Sequence, residues 1–306
     1  MLRTAILVAA RTPAIERLVT SASFAQSLVA RYVAGDDVVD AVRVSRELIA
    51  DGLAVTLDQL GEDTADEAAA AATTSAYCSL LDALDAAGVA PPAEVSVRLS
   101  AVGQRLDPQL ATENARKICQ SAAAVGTTVT LDMEDHTTTD HTLDTLAVLR
   151  GDYPGTGAVL QAYLRRTETD CRDLSYAGSR VRLCKGAYAE PESVGFENAL
   201  DVDRSYVRCL NVLMAGDGYP MLATHDPRLV AIGEERARWY DRTPETFEFQ
   251  MLHGVRPDEQ RRLARAGYTV RIYLPYGPDW YPYLMRRLAE RPAYVALFAR
   301  SLVSGR

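Results

Sequence analysis

The 306-residue chain carries 33 basic and 41 acidic side chains for a net charge of −8, which argues against general nucleic-acid binding because neutralising phosphates takes a basic surface. Five scattered cysteines, Cys78, Cys119, Cys171, Cys184 and Cys209, form no Cys-x-x-Cys pair, a pattern of reduced thiols in a cytoplasmic protein rather than of a disulfide framework or a zinc site. The apolar run from Ala5 to Ala10 is too short for a signal-peptide core, and no apolar stretch reaches the roughly 18 residues of a transmembrane helix.

The predicted elements begin with helices. Ala25 to Val33 is mostly apolar, Gly35-Asp36-Asp37 makes a break and an N-cap, and Ala41 to Leu53 places apolar residues at helical spacing. Residues 1–52 therefore read as a helical extension and 53–306 as one barrel domain that includes a C-terminal arginine helix. Within that domain short β-rich runs alternate with longer helical stretches. The strands are Ala54 to Leu60, Val95 to Ser100, Thr128 to Met133, Val159 to Tyr163, Val181 to Cys184, Met221 to Thr224, Phe247 to Leu252 and Tyr268 to Tyr273, the last stopped by Pro275 and Gly277. The acidic, Ala-rich run Ala65 to Ala72 is helix-forming. Eight strands with room for crossover helices predict a closed parallel (β/α)8 barrel, a fold of about 250 residues. A doubly wound sheet competes, but it would advertise Gly-x-Gly-x-x-Gly after its first strand, and the chain contains none.

In such a barrel the chemistry sits at the C-terminal ends of the strands. The polar residues read there are Arg98, Asp132, Glu134, Gln161, Arg182, Lys185, Thr224, His225, Glu248, Gln250, Arg271 and Tyr273. Both signs of charge around one opening suit a zwitterionic ligand and a polyanionic cofactor. Asp132 and Glu134 stand two apart, which regular alternation places on one face. Together with His136, His141 and His225 they offer metal-ligand types, although no His-x-His or His-Glu-x-x-His spacing supports that reading. Glu134 alone reads more simply as the ion-pair partner of Arg98 or Arg182. Arg182 and Lys185, three apart, take different faces unless the strand ends between them. The helix after Pro282 aligns Tyr283, Arg286 and Glu290, with Arg287 about 100° away. Adjacent guanidinium groups repel, which an anion between them would relieve; Glu290 offers the alternative of a solvated, ion-paired helix surface.

Val95-Ser-Val-Arg-Leu-Ser100, Leu131-Asp-Met-Glu134, Gln161-Ala-Tyr163, Arg182-Leu-Cys-Lys-Gly-Ala-Tyr188, Ala223-Thr-His225 and Phe247-Glu-Phe-Gln-Met-Leu252 precede Arg271-Ile-Tyr-Leu-Pro-Tyr-Gly277 and the Arg286-Arg287 pair. In this order they resemble the proline dehydrogenase family, flavin enzymes on a distorted (β/α)8 barrel that oxidise L-proline between nitrogen and C5. The resemblance implies a monofunctional enzyme with noncovalent FAD, hydride passing from C5 to flavin N5 to give Δ1-pyrroline-5-carboxylate. Asp132 would contact the substrate amine and Arg182 would stand beside the reactive edge of the flavin. Arg98, Arg286 and Arg287 would take the substrate carboxylate, and Leu183, Tyr188 and Tyr273 would wall off the ring. Met133, Gln161, Cys184, Lys185, Gly186, Ala187, Thr224 and His225 would join Arg182 in holding the cofactor.

With no dinucleotide fingerprint for a nicotinamide, a membrane quinone is the expected electron acceptor. The apolar residues Tyr294, Val295, Leu297, Phe298, Leu302 and Val303 read either as a weak interfacial helix for peripheral membrane contact or as a tail packed on the barrel. The chain departs from the family pattern at Arg98 for lysine, Cys184 for valine, Asp226 for asparagine and Arg291 for asparagine. Hydroxyproline oxidation, a metal-dependent hydrolase or lyase built on Asp132, Glu134 and His225, and a proline-sensing binding protein are the alternatives.

Overall fold

The computed structural model describes residues 29–61 and 64–290. The run 5–10, residues 25–28 of the expected helix 25–33 and the tail 294–303 lie outside the described residues. Eight parallel strands close on one another in chain order: β1 Ala54–Gln59, β2 Ala93–Arg98, β3 Val129–Asp132, β4 Gly157–Gln161, β5 Arg180–Cys184, β6 Tyr219–Ala223, β7 Glu248–Leu252 and β8 Val270–Tyr276. Helix α1, Val38–Ala50, leads into β1. The crossovers carry α2 Glu67–Ala86, α3 Pro108–Ala124, α4 Thr139–Asp152, α5 Thr167–Asp173, α6 Ala199–Ala215, α7 Pro227–Trp239 and α8 Pro257–Arg265, and α9 Trp280–Glu290 follows β8. The fold is the expected (β/α)8 barrel.

Short side chains start several helices. Asp37, Asp66, Asp107, Asn198 and Asp226 each accept a backbone N–H two or three residues on, at 2.8 to 3.0 Å, a cap that contributes about 1 kcal/mol per helix. Alternation along the strands then decides what faces the helices. Val55, Leu57, Val95, Val97, Val129 and Leu131 enter one apolar cluster with the surrounding helices, and Val181, Leu183, Leu222, Phe249, Met251 and Ile272 enter a second. The residues between them, among them Asp58, Glu94, Ser96, Arg98, Thr130, Asp132, Arg182, Gln250 and Arg271, therefore point into the lumen. The lumen is filled by a polar and ionic network where branched aliphatic layers are usual in this fold.

The last strand runs longer than expected, through Pro275 to Tyr276. Pro275 lacks an N–H, but its pairing with β7 has already ended at Leu252 and Tyr273, so no ladder bond is lost on that side. Its carbonyl accepts the Ala34 N–H at 2.9 Å, and Gly277 donates to the Gly35 carbonyl at 2.9 Å. These two bonds fasten the segment before α1, in which Tyr32, Val33 and Ala34 are buried, to the rim of the barrel. Pro282 likewise falls inside α9, in its first turn, where a missing N–H costs nothing.

Candidate active site

The lumen is layered by the strand registers. At its N-terminal end Glu94 meets Arg180 at 2.6 Å, and Glu248 takes Arg271 Nε and Nη2 at 2.8 and 3.1 Å. Arg271 Nη1 also donates to the Val55 and Pro92 carbonyls, each at 3.0 Å. Glu248 and Arg271, expected at the mouth, are therefore at the opposite end, because β7 begins at Glu248 and Arg271 is the second residue of β8. Burial alone would push Glu94 up; the guanidinium groups of Arg180, Arg271 and Arg182 overcome it and hold the carboxyl at about 2.

Arg182 links this layer to the mouth. Its Nε donates to Gln250, while Nη1 donates to Ser96 Oγ at 2.9 Å and to Asp132 Oδ1 at 2.6 Å. The other oxygen of Asp132 accepts the Tyr273 hydroxyl at 2.8 Å. Burial first, and the neighbouring Asp132 second, push the Tyr273 phenol well above its ordinary pKa, so it stays protonated and donates. The Arg182 guanidinium also lies 5.4 Å from the centre of the Tyr273 ring. Asp132, Arg182 and Tyr273 are thus brought together as one unit.

Arg98 turns toward β1, donating to the Gln59 carbonyl at 3.2 Å and standing 3.6 Å from Asp58. Asp58 foremost pushes its pKa further up against burial, which keeps the group cationic. Glu134 lies beyond the end of β3, so strand alternation does not carry over to it from Asp132. Its two oxygens accept the Ser100 N–H at 3.0 Å and the Ser100 hydroxyl at 2.6 Å; the arginines expected beside it are those that meet Asp132 and Asp58. Gln161 donates to the Glu134 carbonyl at 2.8 Å, tying the ends of β3 and β4.

The strand does end between Arg182 and Lys185, at Cys184. Lys185 reaches Asp203 at 2.6 Å and Asp226 at 3.0 Å, and Arg228 joins both carboxylates at 2.8 and 2.6 Å. Arg228 first, outweighing burial together with Lys185, holds the Asp226 carboxyl well below the usual range. Thr224 accepts the Asp226 N–H at 3.2 Å, and His225 Nε2 accepts the Leu252 N–H at 2.8 Å, which puts the ring proton of a neutral imidazole on Nδ1. Gly186 has φ +107, and a Cβ there would sit 2.1 Å from the Tyr163 ring, so glycine is required on both counts. Ala187 is exposed and Tyr188 is 44% exposed on the same loop.

Leu183 corrects an expectation: it alternates with Arg182 and packs outside the lumen with the second apolar cluster, as does buried Met133. Arg287 stacks its guanidinium 5.3 Å from the centre of the Tyr283 ring; the side chains of Arg286 and Glu290 lie outside the described residues. Among the described residues no group of three or more His, Cys, Asp or Glu is arranged to hold a metal, and no helix is long and apolar enough to cross a membrane. The sequence reading passed over Asp58, Glu94 and Asp203. The first two had a signal: each is a carboxylate on a strand whose alternate residues are apolar, in phase with the lumen-facing polar residues of its neighbours.

The comparisons with known proteins converge on one group. The proline dehydrogenase family model matches residues 41–296. A proline dehydrogenase of Deinococcus radiodurans is 38% identical over 308 residues, covering 99% of this chain and 98% of its own. Proline dehydrogenase 2 of Bacillus subtilis is 38% identical over 266 residues, 87% of each chain. Among solved structures, proline utilization A from Bdellovibrio bacteriovorus, inactivated by N-propargylglycine, superposes with a TM-score of 0.80 at 24% identity over 87% of this chain and 33% of that longer one, a likeness of fold. The chain belongs to the proline dehydrogenase family of oxidoreductases.

Proposed function

We propose that the C-terminal mouth of the barrel oxidises L-proline to Δ1-pyrroline-5-carboxylate with FAD as resident cofactor and a membrane quinone as final acceptor. The observation that carries this reading is Asp132, a carboxylate at a strand end held through both oxygens by Arg182 and Tyr273. So oriented, it binds the substrate amine and favours the positive charge that develops there as the carbon–hydrogen bond is lost.

The residues present fit FAD. Arg98 Nε is a buried donor with no hydrogen-bond acceptor among the described residues, suited to an anionic group, whereas Arg182 Nη2 lies 3.9 Å from Glu94 Oε1 in the inner layer. The mouth adds the amide of Gln161, the hydroxyl of Thr224, the imidazole of His225 and the Lys185-Gly186-Ala187 turn beside Cys184. When bound, FAD supplies the acceptor for the hydride of proline C5. Arg286 and Arg287 take the substrate carboxylate with Arg98, and Tyr188 and Tyr273 wall the ring, Leu183 having left that group. Quinone contact is assigned to the apolar tail 294–303, and the protein is then peripheral to the inner face of the membrane.

Anaerobic addition of proline to the purified flavoprotein tests the reading: its visible flavin absorbance bleaches, and a soluble quinone analogue restores it. A colourless protein, flavin that stays oxidised, or NADH formation at a comparable rate would overturn it.

A further inference from the structure

The loop from Lys185 to Phe196, which joins β5 to α6, is organised around a single side chain, Tyr163, just past the end of β4. The Tyr163 N–H donates to the Lys185 carbonyl at 2.8 Å, and its own carbonyl accepts the Phe196 N–H at 2.7 Å. Its phenol donates to Glu190 Oε1 at 2.9 Å, while its ring covers Gly186. Glu190 also accepts the His136 backbone N–H at 3.0 Å and contacts the His136 ring at Nδ1. This carboxylate is only 3% exposed, although Ala187, Tyr188 and Ala189 just before it are exposed.

Withdrawing a carboxylate from water costs free energy unless its oxygens are satisfied. Here they are satisfied by groups from two other strand ends. The four steps from Gly186 to Glu190 would cover about 14 Å if extended. Both ends rest on one tyrosine side chain, so Ala187, Tyr188 and Ala189 are doubled into a tight turn.

We infer that Glu190 is a positioning residue for the oxidation: through Tyr163 and His136 it fixes the turn that presents Tyr188 to the substrate ring. The inference rests on the assignment of Tyr188 to the ring wall under Proposed function. In the holoenzyme, Glu190→Ala raises KM for proline about tenfold with kcat changed less than about twofold, the loss of one to two hydrogen bonds. Chymotryptic cleavage after Tyr188 accelerates in parallel. Glu190→Gln, which keeps an acceptor for the phenol and the His136 amide, recovers most of both. If Glu190→Ala folds poorly, Tyr163→Phe removes one oxygen and gives the same changes at smaller size.

Tyr188→Ala raises KM by itself, and adding Glu190→Ala raises it no further, because the two act through one contact. An unchanged KM in Tyr188→Ala overturns the ring-wall assignment itself. A raised KM in Tyr188→Ala with an unchanged KM in Glu190→Ala, or with additive effects in the double variant, overturns the positioning role alone.

Discussion

The two ends of the lumen use the same side chains for opposite purposes. At the N-terminal end Glu94, Glu248, Arg180 and Arg271 close on one another and on two backbone carbonyls. At the mouth, Asp132 is shared between Arg182 and Tyr273, Arg98 stands 3.6 Å from Asp58, and Arg98 Nε has no acceptor among the described residues. Buried charge whose valences are spent within the protein serves the fold; charge left with a donor to spare is suited to a ligand.

The comparison breaks most sharply at the closed end. Glu248→Ala leaves Arg271 without its bidentate partner and should cost about 3–5 kcal/mol of stability, read as a fall in Tm, while KM of the folded fraction stays near normal. A variant that melts like the parent would make the layer ornamental. The same layer predicts an acid limit. Glu94 is held at about 2 against an ordinary 4.5, a depressed carboxyl, so its contribution is complete above about 4.5 and drains away as pH falls through about 2. Glu94→Gln should be less stable at neutral pH and flatter over that window in acid unfolding.

At the open end effects should be kinetic. Asp132→Asn keeps the shape and the flavin but slows flavin reduction about a hundredfold, the scale for removing one oriented electrostatic group; rapid mixing with proline measures it, and an unchanged rate would make Asp132 structural. Arg286→Ala or Arg287→Ala should raise KM about tenfold to a hundredfold, each removing a charge-assisted contact, with near-normal KM in steady-state assays refuting the carboxylate assignment. The smallest change expected is in Asp226→Asn. Asparagine caps α7 as well as aspartate, yet it frees Lys185 from one of two carboxylates. The dissociation constant for FAD should fall a few-fold, by about the modest worth of an exposed pair, and a rise would show that Asp226 itself holds the cofactor.

Much of this was legible in the chain. All eight strands announced themselves because alternation with helical runs is a strong local signal, and the polar residues at predicted strand ends placed Asp132, Arg182 and Tyr273 at one opening. Which end of a strand a polar residue occupies was harder, since Glu248 and Arg271 differ from Gln250 and Tyr273 by only two positions and register is set by neighbours far away in sequence. Leu183 was misjudged for a related reason: adjacency to Arg182 guarantees that it faces the other way. Glu190 lies on a loop with no period and Asp203 in the second turn of α6, so only the fold reveals that the first is buried and the second is shared by Lys185 and Arg228.

Pro275 carries a consequence for shortened chains. β8 overhangs β7, and among the described residues the backbone left there is covered by Ala34 and Gly35. A chain cut after Gly35 would present the Pro275 carbonyl and the Gly277 amide bare on an apolar rim that includes Tyr276 and Leu274, a short open edge of the kind that recruits strands from other molecules. Trimming this end to obtain a minimal barrel therefore trades length for self-association, visible as concentration-dependent oligomers in a protein whose strands are otherwise all paired.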